Sequence, residues 1–246
     1  RKVDSVMEKN DEIRVGVLGV GRGAVLAQAA ENVGMKIVAL CDKWEKKLTE
    51  TGKIFNATTY TDYDKFLEHD MDAVVLANYF HEHAPYAIKA LAAGKHVLSE
   101  TAACHTLGEG VALTRAVEKS GKIYMFIENY AYARNVQEMR RLYLEGAIGD
   151  FKFGTSPHAG QGHGGEPAGI NPELNHWRNW IPATYYTTHA IAPVMFITDT
   201  RPVRVNGFVI PYDFKNKKQV MYSLKRSDTA SIITVSYTHL TLPTKR

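Results

Sequence analysis

The stretch "IRVGVLGVGRGA", residues 13–24, decides the reading of the fold. It passes from an apolar run into a glycine-rich turn and then into "AVLAQAAENV", a segment of helical composition. Gly19-x-Gly21-x-x-Ala24 therefore falls between a strand and a helix. The first glycine permits a tight turn, and the second lets the backbone approach a pyrophosphate. The small third residue lets helix and strand pack, while amides at the helix start face the phosphate. Arg22 sits inside this loop and counts with Gly19 and Gly21 as a cofactor-side residue. The next strand, "KIVAL", ends at Cys41-Asp42, about 20 residues on, where a carboxylate accepts bonds from the adenosine ribose hydroxyls and repels a 2′-phosphate. Asp42 predicts NAD, and Lys43 beside it keeps NADP as the alternative. The competing reading is a turn that binds nothing and an Asp that caps a helix.

Working outward, "WEKKLTETGKIF" has helical composition. "MDAVVLA" then reads as a strand, "HAPYAIKALAAG" as a helix with a glycine cap, and "KHVLS" as a strand. "TLGEGVALTRAVEKSG" is a second glycine-capped helix, and "KIYMFI" a further strand. Strands separated by helices of this length pair in parallel with one handedness. The fold class predicted is α/β, a doubly wound Rossmann sheet over residues 11–130.

After Glu128 the pattern changes. "ARNVQEMRRLYLEGAIG" places Val136, Met139, Leu142 and Tyr143 on one helical face, and "DFKFGTS" alternates like a strand. A loop rich in Gly, His and Pro follows, then a helix near "YYTTHAIAPVMFIT" and strands at "RPVRVNGFVI", "KQVMYSL" and "TASIITV". Residues 131–234 read as a partial α+β domain with an antiparallel sheet. Residues 235–246, "VSYTHLTLPTKR", read as a non-native tail, with the natural protein continuing beyond this point.

The 246 residues carry a net charge of +4 spread without any block, which gives no reason to expect nucleic acid or a membrane surface. No apolar run approaches the roughly 20 residues of a membrane helix. Cys41 and Cys104 lack CxxC spacing, which argues against a disulfide scaffold or zinc knot, and both are expected as buried thiols. The chain begins at Arg1, and location stays open.

The order "LGVGRG", "CD", "LANYFHEHAPYAIKALAAGKHVLSE", "IENY" resembles the Gfo/Idh/MocA family of NAD(P)-dependent sugar-active proteins over nearly all of residues 13–234. Its specific part is carried by His83, Tyr86, Ala87, Ala90, Leu91, Gly94, Lys95, His96, Val97, Leu98 and Glu100. In the family a catalytic Lys and a Pro usually follow that Glu. Here Thr101 and Ala102 stand there, and Thr101, on the cofactor side, cannot act as a base near neutral pH. The family's dehydrogenases usually also carry Asp-x3-His on the helix that starts the second domain. This chain has Tyr185 at the Asp position and keeps His189. The resemblance implies that Asn78, His83 and Asn129 contact the cofactor and that Glu100 bonds the nicotinamide ribose, unless Glu100 is simply a helix N-terminal carboxylate. Tyr130 and Tyr132 either face the site or pack.

Trp177-Arg178 and the pattern Tyr186, Thr188, His189, Pro193, Val194 are similar to the NAD-dependent α-N-acetylgalactosaminidase-like branch of the superfamily. That branch oxidises a sugar C3 hydroxyl transiently. The ketone acidifies the C2 proton, the glycosidic bond breaks by elimination, water adds and the hydride returns. On this resemblance His158 stands where the branch has a substrate-binding Tyr, and the complete protein forms a homo-oligomer through its C-terminal sheet.

The chemistry suits the residues themselves. Tyr186 and His189, three apart, share a helix face, one removing a proton and the other holding or protonating oxygen. Arg178 offers a forked donor to a hydroxyl or oxyanion. The bland alternative is a core helix with a hydrogen-bonded histidine. His158, His163, His176 and His189 match no HxH or HExxH pattern, and His81 and His83 flank Glu82 in a turn, so no metal is expected. The functional expectation is a carbohydrate-active enzyme with NAD. Its rivals are a sugar or polyol dehydrogenase with His189 as base and a non-catalytic NAD(H)-binding regulator.

Overall fold

The computed structural model describes residues 12–156, 183–211 and 228–238. The chain divides into two units, Arg1–Ile127 and Glu128–Arg246. In the first, β1 (Arg14–Leu18), α1 (Arg22–Glu31), β2 (Lys36–Cys41), α2 (Glu45–Phe55), β3 (Thr58–Tyr60) and α3 (Tyr63–Leu67) are followed by β4 (Ala73–Leu76), α4 (His83–Ala92), β5 (His96–Ser99), α5 (Leu107–Ser120) and β6 (Tyr124–Phe126). Six strands form one sheet in the order β3-β2-β1-β4-β5-β6, with every pairing parallel. The order reverses between β1 and β4, and ligands of such sheets bind at the carboxyl ends of the strands at that switch point.

The inner strands are apolar at nearly every position because helices cover both sheet faces. Along β1 and β4, Val15, Val17, Ala73 and Val75 pack with Ala27, Leu48 and Phe55 of α1 and α2. The alternate residues Leu18, Val74 and Leu76 pack with Phe66, Leu91 and Leu113 of α3, α4 and α5. Phe66 is fully buried, and truncating a ring so placed costs about 3–5 kcal/mol. The motif residues of "GKHV" also hold the sheet. Lys95 Nζ donates to the His69 and Met71 carbonyls at 3.2 and 2.9 Å, and His96 Nδ1 accepts the Ile123 N–H at 3.0 Å.

The second unit has α6 (Arg134–Leu144), α7 (Thr187–Thr198) and an antiparallel pair, β7 (Arg201–Pro211) with β8 (Asp228–Thr238). Short 3₁₀ turns at Asn129–Tyr132 and Ala183–Tyr186 precede α6 and α7. Pro193, inside α7, has no N–H to give the carbonyl of His189 one turn earlier.

Several elements differ from the sequence expectation. β3 and α3 were not anticipated, since three and five residues are too short to show a period. Residues 151–156 form no strand. Phe153 is 84% exposed, and among the described residues no strand pairs with this segment to complete a ladder. Of the expected apolar face of α6, Val136 is buried and Leu142 and Tyr143 are half-buried, but Met139 is 46% exposed. Arg140 packs beside Val136, its guanidinium lying 4.6 Å from the Phe196 ring centroid and donating to the Phe196 carbonyl. β8 runs to Thr238, pairing Val235 with Val205, and so extends into the segment read as a tail. Backbone bonds make that ladder whatever the side chains. Cys41 is buried but Cys104 only half-buried, which corrects its expected burial. "KQVMYSL" lies outside the described residues.

Candidate active site

In the first unit the chain turns at Gly19, whose φ is +92°, and its N–H donates to the Cys41 carbonyl at 2.8 Å. A Cβ here would stand 2.4 Å from the Ala77 carbonyl oxygen, so only glycine fits. At Gly21 a Cβ would meet no heavy atom within 4 Å, leaving this backbone open to close approach. The tight helix–strand contact belongs to Gly23, where a Cβ would lie 2.7 Å from Val17 Cγ1. Ala24, expected in that role, is only half-buried. The ten-residue helix α1 begins with no side-chain cap, so its first amides have no side-chain acceptor at the cap position.

Asp42 joins the turn to the end of β2. Its Oδ2 accepts the Val20 N–H at 2.7 Å and its Oδ1 the Trp44 N–H at 2.8 Å. A carboxylate has about four acceptor positions, so capacity for ribose hydroxyls remains. Arg22 Nε donates to Glu100 Oε1 at 2.8 Å, while Thr101 N–H and Oγ1 donate to Oε2 at 3.2 and 3.3 Å. Glu100 is not a helix N-terminal carboxylate. α5 is capped by Thr106 and Glu109 in a reciprocal pair.

Asn78 Nδ2 donates to Glu82 Oε2 at 3.4 Å, and its buried Oδ1 has no hydrogen-bond partner among the described residues. This polar atom, the open backbone at Gly21 and the uncapped α1 are features that fit a bound dinucleotide. His83 is buried, with Nδ1 2.9 Å from the Ala102 carbonyl and Nε2 3.3 Å from the Asn78 carbonyl. Its effect on the site is to hold the Asn78 turn against the segment after β5.

Burial holds the His83 pKa below its ordinary 6.5 and outweighs its bonds to carbonyls. The folded state therefore binds this proton less readily than the unfolded chain does. Stability is full above the unfolded value and falls as pH drops below about 6.5. Urea midpoints measured from pH 8 to pH 5 are expected to decline, and His83→Asn is expected to lower the plateau while flattening that decline. An unchanged slope in the variant would contradict the assignment.

In the second unit an acid that the sequence reading passed over meets the expected histidine. Glu128 follows the apolar run of β6, accepts the Tyr130 N–H at 3.0 Å, and lies 2.7 and 2.9 Å from His189 Nδ1 through its two oxygens. Both side chains are about nine-tenths buried, at 8% and 10% exposure. Burial works to raise the Glu128 pKa, but bonds from His189 and the Tyr130 amide outweigh it and hold the carboxyl below its ordinary value. A carboxylate only accepts, so Nδ1 carries a proton, and in the neutral ring the lone pair is on Nε2.

The Tyr130 ring stacks on the imidazole at 4.4 Å, and Tyr186 lies 5.6 Å from it, brought there from the 3₁₀ turn that precedes α7. Tyr132 packs on Phe196. Asn129 is exposed at the start of its 3₁₀ turn. Arg178 and His158 lie outside the described residues. Among the described residues no group of three or more His, Cys, Asp or Glu is placed to hold a metal, and no helix is long and apolar enough to cross a membrane.

A glycine turn at the switch point, an uncapped helix and an acid ending β2 define a dinucleotide-binding Rossmann domain. Residues 13–128 match the model of the Gfo/Idh/MocA oxidoreductase family, described as having an NAD-binding Rossmann fold. The chain is 29% identical over 206 residues to glycosyl hydrolase family 109 protein 2 of Shewanella sp. (strain ANA-3), covering 77% of this chain and 45% of that protein. It is 27% identical over 235 residues to a glycosyl hydrolase family 109 protein of Saccharopolyspora erythraea, covering 83% and 49%. It spans about half the length of these curated relatives. Its fold is similar to that of the WlbA dehydrogenase of Bordetella pertussis, solved with NADH and UDP-GlcNAcA, with a TM-score of 0.75, 17% identity and coverage of 94% and 65%.

Proposed function

We propose that the protein carrying this chain is an NAD-dependent carbohydrate-active enzyme that cleaves a glycoside by transient oxidation and elimination, with no net redox change. The observation that carries the reading is the buried Glu128–His189 pair, a candidate general base in a chain whose Thr101 has no proton chemistry to offer. The names of the glycosyl hydrolase family 109 relatives support the same substrate class. A bound NAD would supply reversible hydride acceptance at the sugar C3 carbon, the C3 hydroxyl proton leaving to solvent and returning from it, and water adding across C1–C2 after elimination. His189 Nε2 removes the proton at C2, and the electron pair left on carbon expels the glycosidic oxygen. The Tyr186 hydroxyl holds or protonates a substrate oxygen, and Arg178 and His158 contact the sugar. Gly19, Gly21, Arg22, Asp42, Asn78, Glu100, Thr101 and Asn129 serve the cofactor, and the Asp42 carboxylate favours NAD over NADP by repelling a 2′-phosphate. Exposed Val203, Val205 and Phe208 on β7 support self-association of the complete protein through that sheet.

Incubating the protein with a panel of aryl glycosides tests the reading. The expected result is release of the aryl alcohol with no accumulation of NADH. Steady NADH production from free sugars without aryl release would replace the proposal with a sugar dehydrogenase.

A further inference from the structure

We infer that Glu128 is the positioning residue for His189, setting which ring nitrogen carries the proton and the angle at which Nε2 meets substrate. The inference rests on the reading of His189 as the base. Glu128 comes from the segment after β6 and His189 from α7, 61 residues away, so no local helical spacing obliges them to meet. Yet both are buried, and both carboxylate oxygens lie within 2.9 Å of one nitrogen.

The remaining restraints act on the same ring. The Tyr130 amide holds Glu128 Oε1 at 3.0 Å, and the Tyr130 ring covers an imidazole face at 4.4 Å and 23°. One short 3₁₀ turn therefore orients the acid through its backbone and the imidazole through its side chain. A carboxylate at Nδ1 accepts in one sense only and offsets the charge created when Nε2 takes a proton. A carboxamide there can donate or accept, and the choice of tautomer is lost.

The pair could also do no more than fasten α7 to the turn, so the test needs readouts that simple fastening would not move. In the NAD-loaded protein with ¹⁵N-labelled histidine, wild type is expected to show His189 protonated on Nδ1. Glu128→Gln is expected to lose that single tautomer and to lower kcat on an aryl glycoside by about 10²–10⁴-fold, with KM and NAD affinity kept. Glu128→Asp, which keeps the charge, is expected to recover part of both. Protonation on Nε2 in wild type, or wild-type kcat in Glu128→Gln, would overturn the inference. So would a loss in Glu128→Gln that follows melting temperature and KM together. If wild type instead oxidises free sugars, the glycosidase reading alone fails, and the same variants are judged on that oxidation.

Discussion

Replacing His189 with asparagine is expected to lower aryl glycoside turnover by about 10²–10⁴-fold, the usual contribution of a positioned general base. Asparagine keeps a polar atom near Glu128 but has no lone pair able to take a proton at neutral pH. NAD affinity, measured by calorimetry, is expected to stay at the wild-type value, because the glycine turn and Asp42 belong to the other unit. The variant is expected to be less stable near neutral pH, where the buried carboxylate loses a partner held at 2.7 Å, and this deficit is expected to shrink as the pH falls through the carboxyl range. Turnover within tenfold of wild type in a folded His189→Asn protein would remove His189 from the chemistry.

The second large effect is expected at the turn. Gly19→Ala places a methyl 2.4 Å from a backbone oxygen at a φ of +92°, and neither can be relieved by a side-chain rotation. The backbone conformation costs about 1–3 kcal/mol and the overlap about 1–3 more. Much of this strain falls on the turn that the pyrophosphate must meet. About 3 kcal/mol of distortion weakens NAD about 100-fold, at tenfold per 1.4 kcal/mol. Gly21→Ala separates folding from binding. Its φ is −72° and a methyl there meets no heavy atom within 4 Å among the described residues beyond its chain neighbours, so the melting temperature is expected to hold while NAD affinity falls. Loss of stability without loss of affinity at Gly21 would mean that the pyrophosphate does not approach this backbone.

The sheet was legible because both of its faces are covered, so β1, β2, β4 and β5 are written as near-continuous apolar runs bounded by helices. Asp42 was legible because the fingerprint sets its distance from the glycines. The third small residue was not, because a motif counts positions whereas packing depends on which Cα approaches Val17, and that is Gly23. Phe151 and Phe153 alternate as a strand does, but alternation states a preference that only a neighbouring strand can satisfy. His83 was expected at the cofactor from the family resemblance alone, and its bracing of the Asn78 turn against the Ala102 segment was not legible because the two stretches are brought together only by the fold. Glu128 was passed over because an acid ending an apolar strand reads as its boundary, and its partner has no nearby spacing to announce it. The carboxylate missing at Tyr185, beside the retained histidine, was the available signal that another element must supply one.

The account turns on a proton leaving C2 of the sugar while no reduced cofactor builds up. The most direct measurement is hydrolysis of an aryl glycoside in deuterium oxide, followed by mass spectrometry and NMR of the released sugar with absorbance at 340 nm recorded throughout. Deuterium at C2 of the product, in the absence of net NADH, is the expected result. Product free of deuterium at C2, or one NADH formed for each sugar consumed, would contradict the account.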